Sequence, residues 1–351
     1  MVLAGYPQIP AVGTTPHMIV RCAPLLLLAA CTSLKHSILE PEVRPRGPLP
    51  TRVQHPMKLN VLAFRPRQPE VLEVGRHRIE AQSAYTSIFE NGTGVGERVV
   101  LDGELWTNRL SWRHGLGAST DIEVELGLLY ASSGFLDGFI EGWHDMFALP
   151  GGGYDERPRY AYEMSVEKNG NEAYALESDT MGLLDLPVIV THELREAVDE
   201  RIGLALRAGI ELPTGSESRG FGNGRVDWGL AVSAGQSLGR WSWTLGLDWV
   251  EAGRSERFAN SGVEYAADWG AHLGAEYRWN AQLSILSAIS FDSRLSHDIE
   301  IKELDNPMLM LDLGVAFDAP GGSRWHLGFS EDLIAESGPD FGVFLGWSAG
   351  F

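Results

Sequence analysis

The chain has 351 residues, a formal net charge of −19 and 44% apolar residues, with 41 glycines and 11 tryptophans. That acidity argues against nucleic acid as a partner, because binding it takes a basic surface. Both cysteines, Cys22 and Cys31, fall in the first tenth of the chain, so no disulfide framework or cysteine-based zinc site can form downstream.

After the leader, no apolar stretch reaches the roughly 18 residues that a spanning helix needs. A membrane protein with this profile must cross as a barrel, where only alternate residues meet lipid. From Met18 the chain reads Met-Ile-Val-Arg-Cys-Ala-Pro, then four leucines and Ala29-Ala30-Cys31. One arginine before a short apolar run and small residues is the layout of a secretory signal. Leu28-Ala29-Ala30-Cys31 resembles a lipobox, so residues 1–31 read as a leader and Cys31 as a candidate lipid-attachment site. An ordinary signal with a cysteine near its cleavage site is the alternative. Residues 32–77 follow, rich in Pro and Arg (Gly47-Pro48-Leu49-Pro50, Arg65-Pro66-Arg67-Gln68-Pro69). Such spacing breaks helices and strands and predicts an extended linker, a lumen plug or a periplasmic arm.

From residue 78 to 351 the pattern is that of strands. Ile122, Val124, Leu126, Leu128 and Tyr130 share one face, with Asp121, Glu123 and Glu125 opposite. Asp102 and Glu104 are assigned to the same lumen. Residues 135–149 break the period: Phe135, Phe139, Trp143 and Phe147 recur every four residues, with Ile140 alongside, as one stripe of a helix. Glu141, His144 and Asp145 on that helix could be read as ligands or an acid–base set. An amphipathic helix in an outer loop, aromatics on the barrel rim and charges in water, is the simpler reading. Alternation resumes at Ile202 to Leu212, opposite Arg207 and Glu211. Trp241, Trp243, Leu245, Leu247 and Trp249 follow, with Asp248 behind them. Tyr265 to Trp279 reads as one long strand whose other face carries Glu264, Asp268, His272 and Glu276. Leu283 to Phe291 and Leu309 to Phe317 repeat the pattern.

The last strand is the clearest. Phe341, Val343, Leu345, Trp347, Ala349 and Phe351 are apolar and all odd-numbered. Ten steps span about 33 Å of strand, or about 25 Å of height at a ~40° tilt, which equals the usual apolar band. A terminal aromatic closing such a strand resembles the recognition signal read by the barrel-assembly machinery. Phe341, Val343, Leu345, Trp347 and Phe351 are its candidate residues. Short and long connections alternate along the chain, as periplasmic turns and outer loops do. The resulting fold is an all-β antiparallel up-and-down transmembrane barrel in the bacterial outer membrane, with about 14 strands if residues 171–178 supply one, or 12 if they do not. A soluble β-sandwich also alternates and is the competing architecture.

Three segments resemble an uncharacterised bacterial outer-membrane family, domain of unknown function 3187: Gly47-Pro48-Leu49-Pro50-Thr51-Arg52 with His55-Pro56; Gly134 to Pro150; and Leu212-Pro213-Thr214-Gly215 with Asp227. The resemblance implies a barrel and brings no activity. Local motifs add none. Gly235-Gln236-Ser237-Leu238-Gly239 fits a hydrolase pattern but falls in a predicted hairpin. His192-Glu193-Leu194-Arg195-Glu196 lacks the second histidine of a zinc-protease helix. No cofactor is expected.

The leading functional expectation is a passive pore or small-solute transporter, not an enzyme, with outer-membrane lipids as its surroundings. The carboxylates assigned to the lumen would favour cations or neutral solutes. Arg109, Arg207 and Arg278 would temper that preference. A non-conducting barrel serving as an anchor or assembly partner comes second, and a lumen filled by residues 32–77 would favour it. A barrel enzyme using Glu141 or His144 comes third.

Overall fold

Residues 47–147, 157–196, 202–334 and 338–351 are described by a computed structural model, in which the side chains of Trp143, His144, Phe147 and Glu303 are not described. Its alternating segments form fifteen antiparallel strands: β1 (His77–Gly94), β2 (Glu97–Gly117), β3 (Thr120–Ser132), β4 (Glu163–Lys168), β5 (Asn171–Leu176), β6 (Thr180–Leu183), β7 (Leu186–Arg195), β8 (Gly203–Leu212), β9 (Asp227–Leu238), β10 (Trp241–Glu251), β11 (Asp268–Arg278), β12 (Leu283–Asp292), β13 (Met308–Asp318), β14 (Arg324–Asp332) and β15 (Phe341–Gly350). Twelve of them close a ring in chain order, from β1 through β2, β3 and β7 to β15 and back to β1. Closure is completed by the last residue: Phe351 and His77 exchange backbone N–H···O bonds of 2.9 Å each.

Twelve is the lower of the two expected counts, and length explains why. A spanning strand needs about 9–11 residues, whereas β4, β5 and β6 have six, six and four. They stay out of the wall: the β4–β5 hairpin extends the outer half of β2, and β6 pairs with the outer half of β3.

The wall follows the period-2 rule. Leu126, Leu206, Leu230, Leu245, Leu273 and Leu327 all point outward and are exposed. Aromatic rings gather at two levels of this outer face. Trp228 meets Trp249 at 4.8 Å and Trp249 meets Trp269 at 6.2 Å near the long-loop end. Trp241 meets Tyr277 at 4.7 Å and Trp325 meets Trp347 at 6.4 Å near the short-turn end. Along β10 the two levels are eight steps apart, about 27 Å of strand. Rings at that separation, with leucines between them, match the edges of a hydrocarbon layer. Among the described residues no helix is long and apolar enough to cross a membrane.

β1 and β2, at 18 and 21 residues, overshoot a membrane and carry a cap at the long-loop end. Its core includes Ile88, Leu101, Met164, Tyr174, Phe221 and Leu304, all buried. Tyr265 belongs here and not on the lipid face, because β11 starts only at Asp268. Its ring stacks on Phe258 of the short helix Glu256–Ser261 at 4.3 Å, and its backbone bridges Ser296.

The four-residue stripe does form a helix, Asp137–Phe147. It folds against the outer face of the barrel: Phe139 lies 5.5 Å from Phe341, and Phe135 stacks on Tyr85 at 5.3 Å. Ile140 is buried, while Phe135, Phe139 and Met146 remain exposed. Phe341 is therefore covered, unlike Val343 and Leu345, which share its face on β15 and stay exposed.

Candidate functional site

The interior of the ring holds the chain's own residues 47–76. Five prolines in this stretch (48, 50, 56, 66 and 69) keep it extended and remove N–H groups that would lack a ladder partner. The arm rises along one side of the lumen, turns at the long-loop end and descends along the other.

On the rising leg, the Gly47 N–H donates to Glu276 at 3.2 Å and the Thr51 hydroxyl to Asp312 at 2.7 Å. Leu49 packs with Ala84, Leu286, Ala316 and Phe344 of the wall. The turn is a 3-10 segment, Lys58–Asn60, braced by the Arg52 guanidinium donating to the Lys58 and Val61 carbonyls. Met57 and Leu59 enter the apolar cap. Between them, the Lys58 ammonium reaches Asp268 at 2.6 Å and the Ser293 carbonyl at 2.9 Å. His55 faces Glu90 at 3.3 Å.

The descending leg meets β3. Arg65 pairs with Glu123 at 2.7 Å and Glu125 at 2.8 Å, and Arg67 with Glu123 at 2.8 Å and Asp121 at 2.9 Å. From the wall, Arg109 reaches Glu125 and Arg113 reaches Asp121, each at 2.6 Å. The Leu72 N–H adds a third donor to Asp121 at 3.0 Å. At the foot, Gly75 and Arg76 pair with Gly115 at 3.0 Å. Only glycine fits there, since a Cβ on residue 115 would lie 2.0 Å from the Glu73 carbonyl oxygen.

The lumen assignments divide accordingly. Asp121, Glu123, Glu125, Asp248, Asp268, His272 and Glu276 do face inward. They do not line an open channel: three of them are neutralised by Arg65, Arg67, Arg109 and Arg113, Asp268 by Lys58, and Glu276 by Arg324 at 3.0 Å. His272 sits in a slot left by Gly246, where a Cβ would come within 1.9 Å of the ring. Asp248 lies beside Asp268, Asp292 and His272 around a small void next to the arm. Asp248, by contrast, has no ion-pair partner among the described residues.

Asp102, Glu104 and Glu264 are not in the lumen at all. Asp102 and Glu104 share parity on β2 with Leu110 and Trp112, the lipid-facing side, and lie above the membrane level. Asp102 pairs with Arg157 at 2.5 Å. Glu104 receives the Phe135 N–H at 2.7 Å and that of Leu136, fixing the segment that leads into the loop helix. Gly134, with φ +68°, makes this possible, as a Cβ there would strike the Glu104 carboxyl. Glu264 precedes β11, is exposed, and pairs with Arg254 at 2.8 Å.

On the loop helix, Glu141 is tied to Arg159, Asp145 is exposed, and the side chain of His144 lies outside the described residues. Among the described residues no three potential ligands gather as a metal site. Ser237 lies near the end of β9, in the β9–β10 hairpin, with no helix after it. Cys31 and the leader lie outside the described residues.

The partners that sequence reasoning missed are Lys58, Arg65 and Arg67 of the arm and Asp292, Asp312, Arg324 and His326 of the wall. A signal existed for the first group. Arg65-Pro66-Arg67 has the same two-residue spacing as Asp121, Glu123 and Glu125 on β3, so the two extended segments can pair charge for charge.

Below this cluster a cavity of about 850 Å³ remains between arm and wall. It is lined by arm residues such as Arg67 and Gln68, and by Ala118, Ser119 and Gly322 of the short turns, so it reaches the short-turn rim.

Residues 24–351 match the family model described as Protein of unknown function (DUF3187). The chain belongs to that family. A crystal structure of the COG4313 outer membrane channel from Pseudomonas putida F1 resembles it with a TM-score of 0.54 at 17% identity, covering 82% of this chain and 100% of that one. The KdgM porin gives 0.43 at 6% identity over 78% and 99%. The NanC porin gives 0.43 at 8% over 77% and 98%. The first likeness is one of fold. No curated protein sequence matches the chain.

The family-like segments converge on the plug and cap. Residues 47–56 form the rising leg, and 134–147 carry the helix start held by Glu104. Gly215 donates to Asp185 at 2.7 Å, while Asp227 accepts from Asn223 at 2.7 Å, Gly253 at 2.7 Å and the arm's Leu62 N–H at 3.1 Å. Burial pushes the Asp185 carboxyl above its usual range, and the Gly215 and Asn223 N–H groups pull it back.

Proposed function

We propose that this family member is a bacterial outer-membrane channel for small solutes, held shut by its N-terminal arm. Its short turns and both ends of the ring face the periplasm, and the cap faces outward. The observation that carries this reading is the chemistry of the plug–wall contact. Along the descending leg the arm is held by Arg65 and Arg67 on Asp121, Glu123 and Glu125, with a cavity beside them. A permanent filling gains more from apolar packing, which often equals or exceeds a buried ion pair in stability. Ions and backbone carbonyls, by contrast, regain water when the arm leaves, so a polar plug is a separable one.

A non-conducting anchor is the second reading, favoured by the Met57 and Leu59 side chains buried in the apolar cap. Planar-bilayer recording separates the two. The intact protein is expected to conduct rarely, and a variant lacking residues 47–72 to hold a steady open conductance. A deletion variant that still migrates as a folded, heat-modifiable barrel yet passes no current would establish the anchor instead.

A further inference from the structure

We infer that the periplasm-facing cavity is a binding site for a small oxyanion, a carboxylate- or phosphate-bearing solute. The inference names the solute class for the channel proposed above, but the site exists with the arm in place. Its test is binding and not conduction, so either can fail alone.

Pairing within the buried cluster is unequal. Arg65, Arg67, Arg109 and Arg113 share three carboxylates, Asp121, Glu123 and Glu125. Arg207 on β8 adds a fifth guanidinium, and among the described residues it has no carboxylate within 4 Å. It is only 4% exposed. One of its terminal nitrogens donates to the Arg65 carbonyl at 2.8 Å and its plane lies over Phe64 at 5.3 Å, while Nε has no hydrogen-bond partner. A guanidinium stays charged at any physiological pH, so it cannot escape this position by losing a proton. Burying it without a counter-ion is costly, and a neutral carbonyl and an aromatic face compensate only in part.

Arg207 lines the 850 Å³ cavity, and so does His326 of β14. His326 is 8% exposed, and its Nε2 also lacks a partner. Its ring occupies the space left by Gly346, where a Cβ would approach Nε2 to 1.9 Å. Two strands of the ring thus each bring a nine-tenths-buried nitrogen group with unused hydrogen-bonding capacity to one cavity. Glu70, Glu73, Glu80, Glu123, Glu193 and Glu196 also line it, against eight arginines that include Arg207. None of these carboxylates is within 4 Å of the Arg207 nitrogens, so its charge remains available. A guanidinium presents paired donors that suit the two oxygens of a carboxylate or phosphate, and a neutral imidazole can donate one more.

The test is calorimetric titration of the full chain in detergent, at low ionic strength, with succinate, inorganic phosphate and calcium chloride. Saturable binding of succinate or phosphate, weakened about tenfold in Arg207→Gln as loss of one charged hydrogen-bonding partner implies, supports the site. Arg207→Lys, which keeps the charge but loses the paired donors, should fall between the wild type and Arg207→Gln. Binding of succinate alone assigns carboxylates, and of phosphate alone, phosphates. Each variant is first checked for a heat-modifiable folded band; if Arg207→Gln does not fold, His326→Gln carries the same expectation. Absence of saturable binding by either anion, saturable binding of calcium alone, or unchanged affinity in the folded variant overturns the proposal.

Discussion

Asp121 shows how much one buried carboxylate can organise. It accepts from Arg67, Arg113 and the Leu72 N–H, and so ties the descending leg of the arm to both β3 and β2. Asp121→Asn keeps the shape but leaves two guanidiniums short of a counter-charge. Breaking such a pair costs about 3–5 kcal/mol. The hydrogen-bond ladder of the ring is untouched, so this cost is expected to fall on arm docking. Trypsin in the folded, detergent-solubilised protein should cut after Arg67 at least about tenfold faster in the variant, since cleavage tracks the population of the open form. Equal cleavage rates would show that the arm is held elsewhere, with the Met57 and Leu59 anchors the next suspects.

Among the elements, the last strand bears most on assembly. β15 pairs on one edge with β14 and on the other with β1, so the ring cannot close before it docks. Phe351 ends it with a ring stacked on His77 at 5.3 Å and two backbone bonds to the same residue. These contacts sit at the short-turn rim of the ring, where they add little to the stability of a finished barrel. Deleting Phe351 should therefore lower the fraction inserted in membranes several-fold, while the molecules that do insert melt near the wild-type temperature. Quantifying folded and unfolded bands in membrane fractions measures the first, and a heating series the second. Normal insertion without Phe351 would remove the basis for regarding it as an assembly signal.

At the scale of the whole molecule, the decisive property is that twelve strands leave no free edge. Each wall strand pairs with a neighbour on both sides, the condition for standing in hydrocarbon. The purified protein is accordingly expected to need detergent and to migrate as a compact band in cold dodecyl sulfate, shifting on boiling. Solubility without detergent, or migration indifferent to heat, would reinstate the β-sandwich.

Alternation, aromatic ends and turn spacing by themselves determined the barrel, the face of nearly every wall residue and the helix at 137–147, because these depend on local periods of 2 and 3.6. Parity could also have placed Asp102 and Glu104 correctly, since they share it with Leu110 and Trp112. Tertiary structure alone decided three things. It decided that β4, β5 and β6 build a cap and not wall, which depends on which strand edge they reach. It decided that residues 47–76 fold back through the lumen, because nothing local in a proline-rich segment says where it docks. And it decided that Asp121, Glu123, Glu125, Asp268 and Glu276 are ion-paired, with Arg207 left over. Long-range pairing of charges from opposite ends of the sequence has no local period, and only closing the ring around the arm brings them within reach.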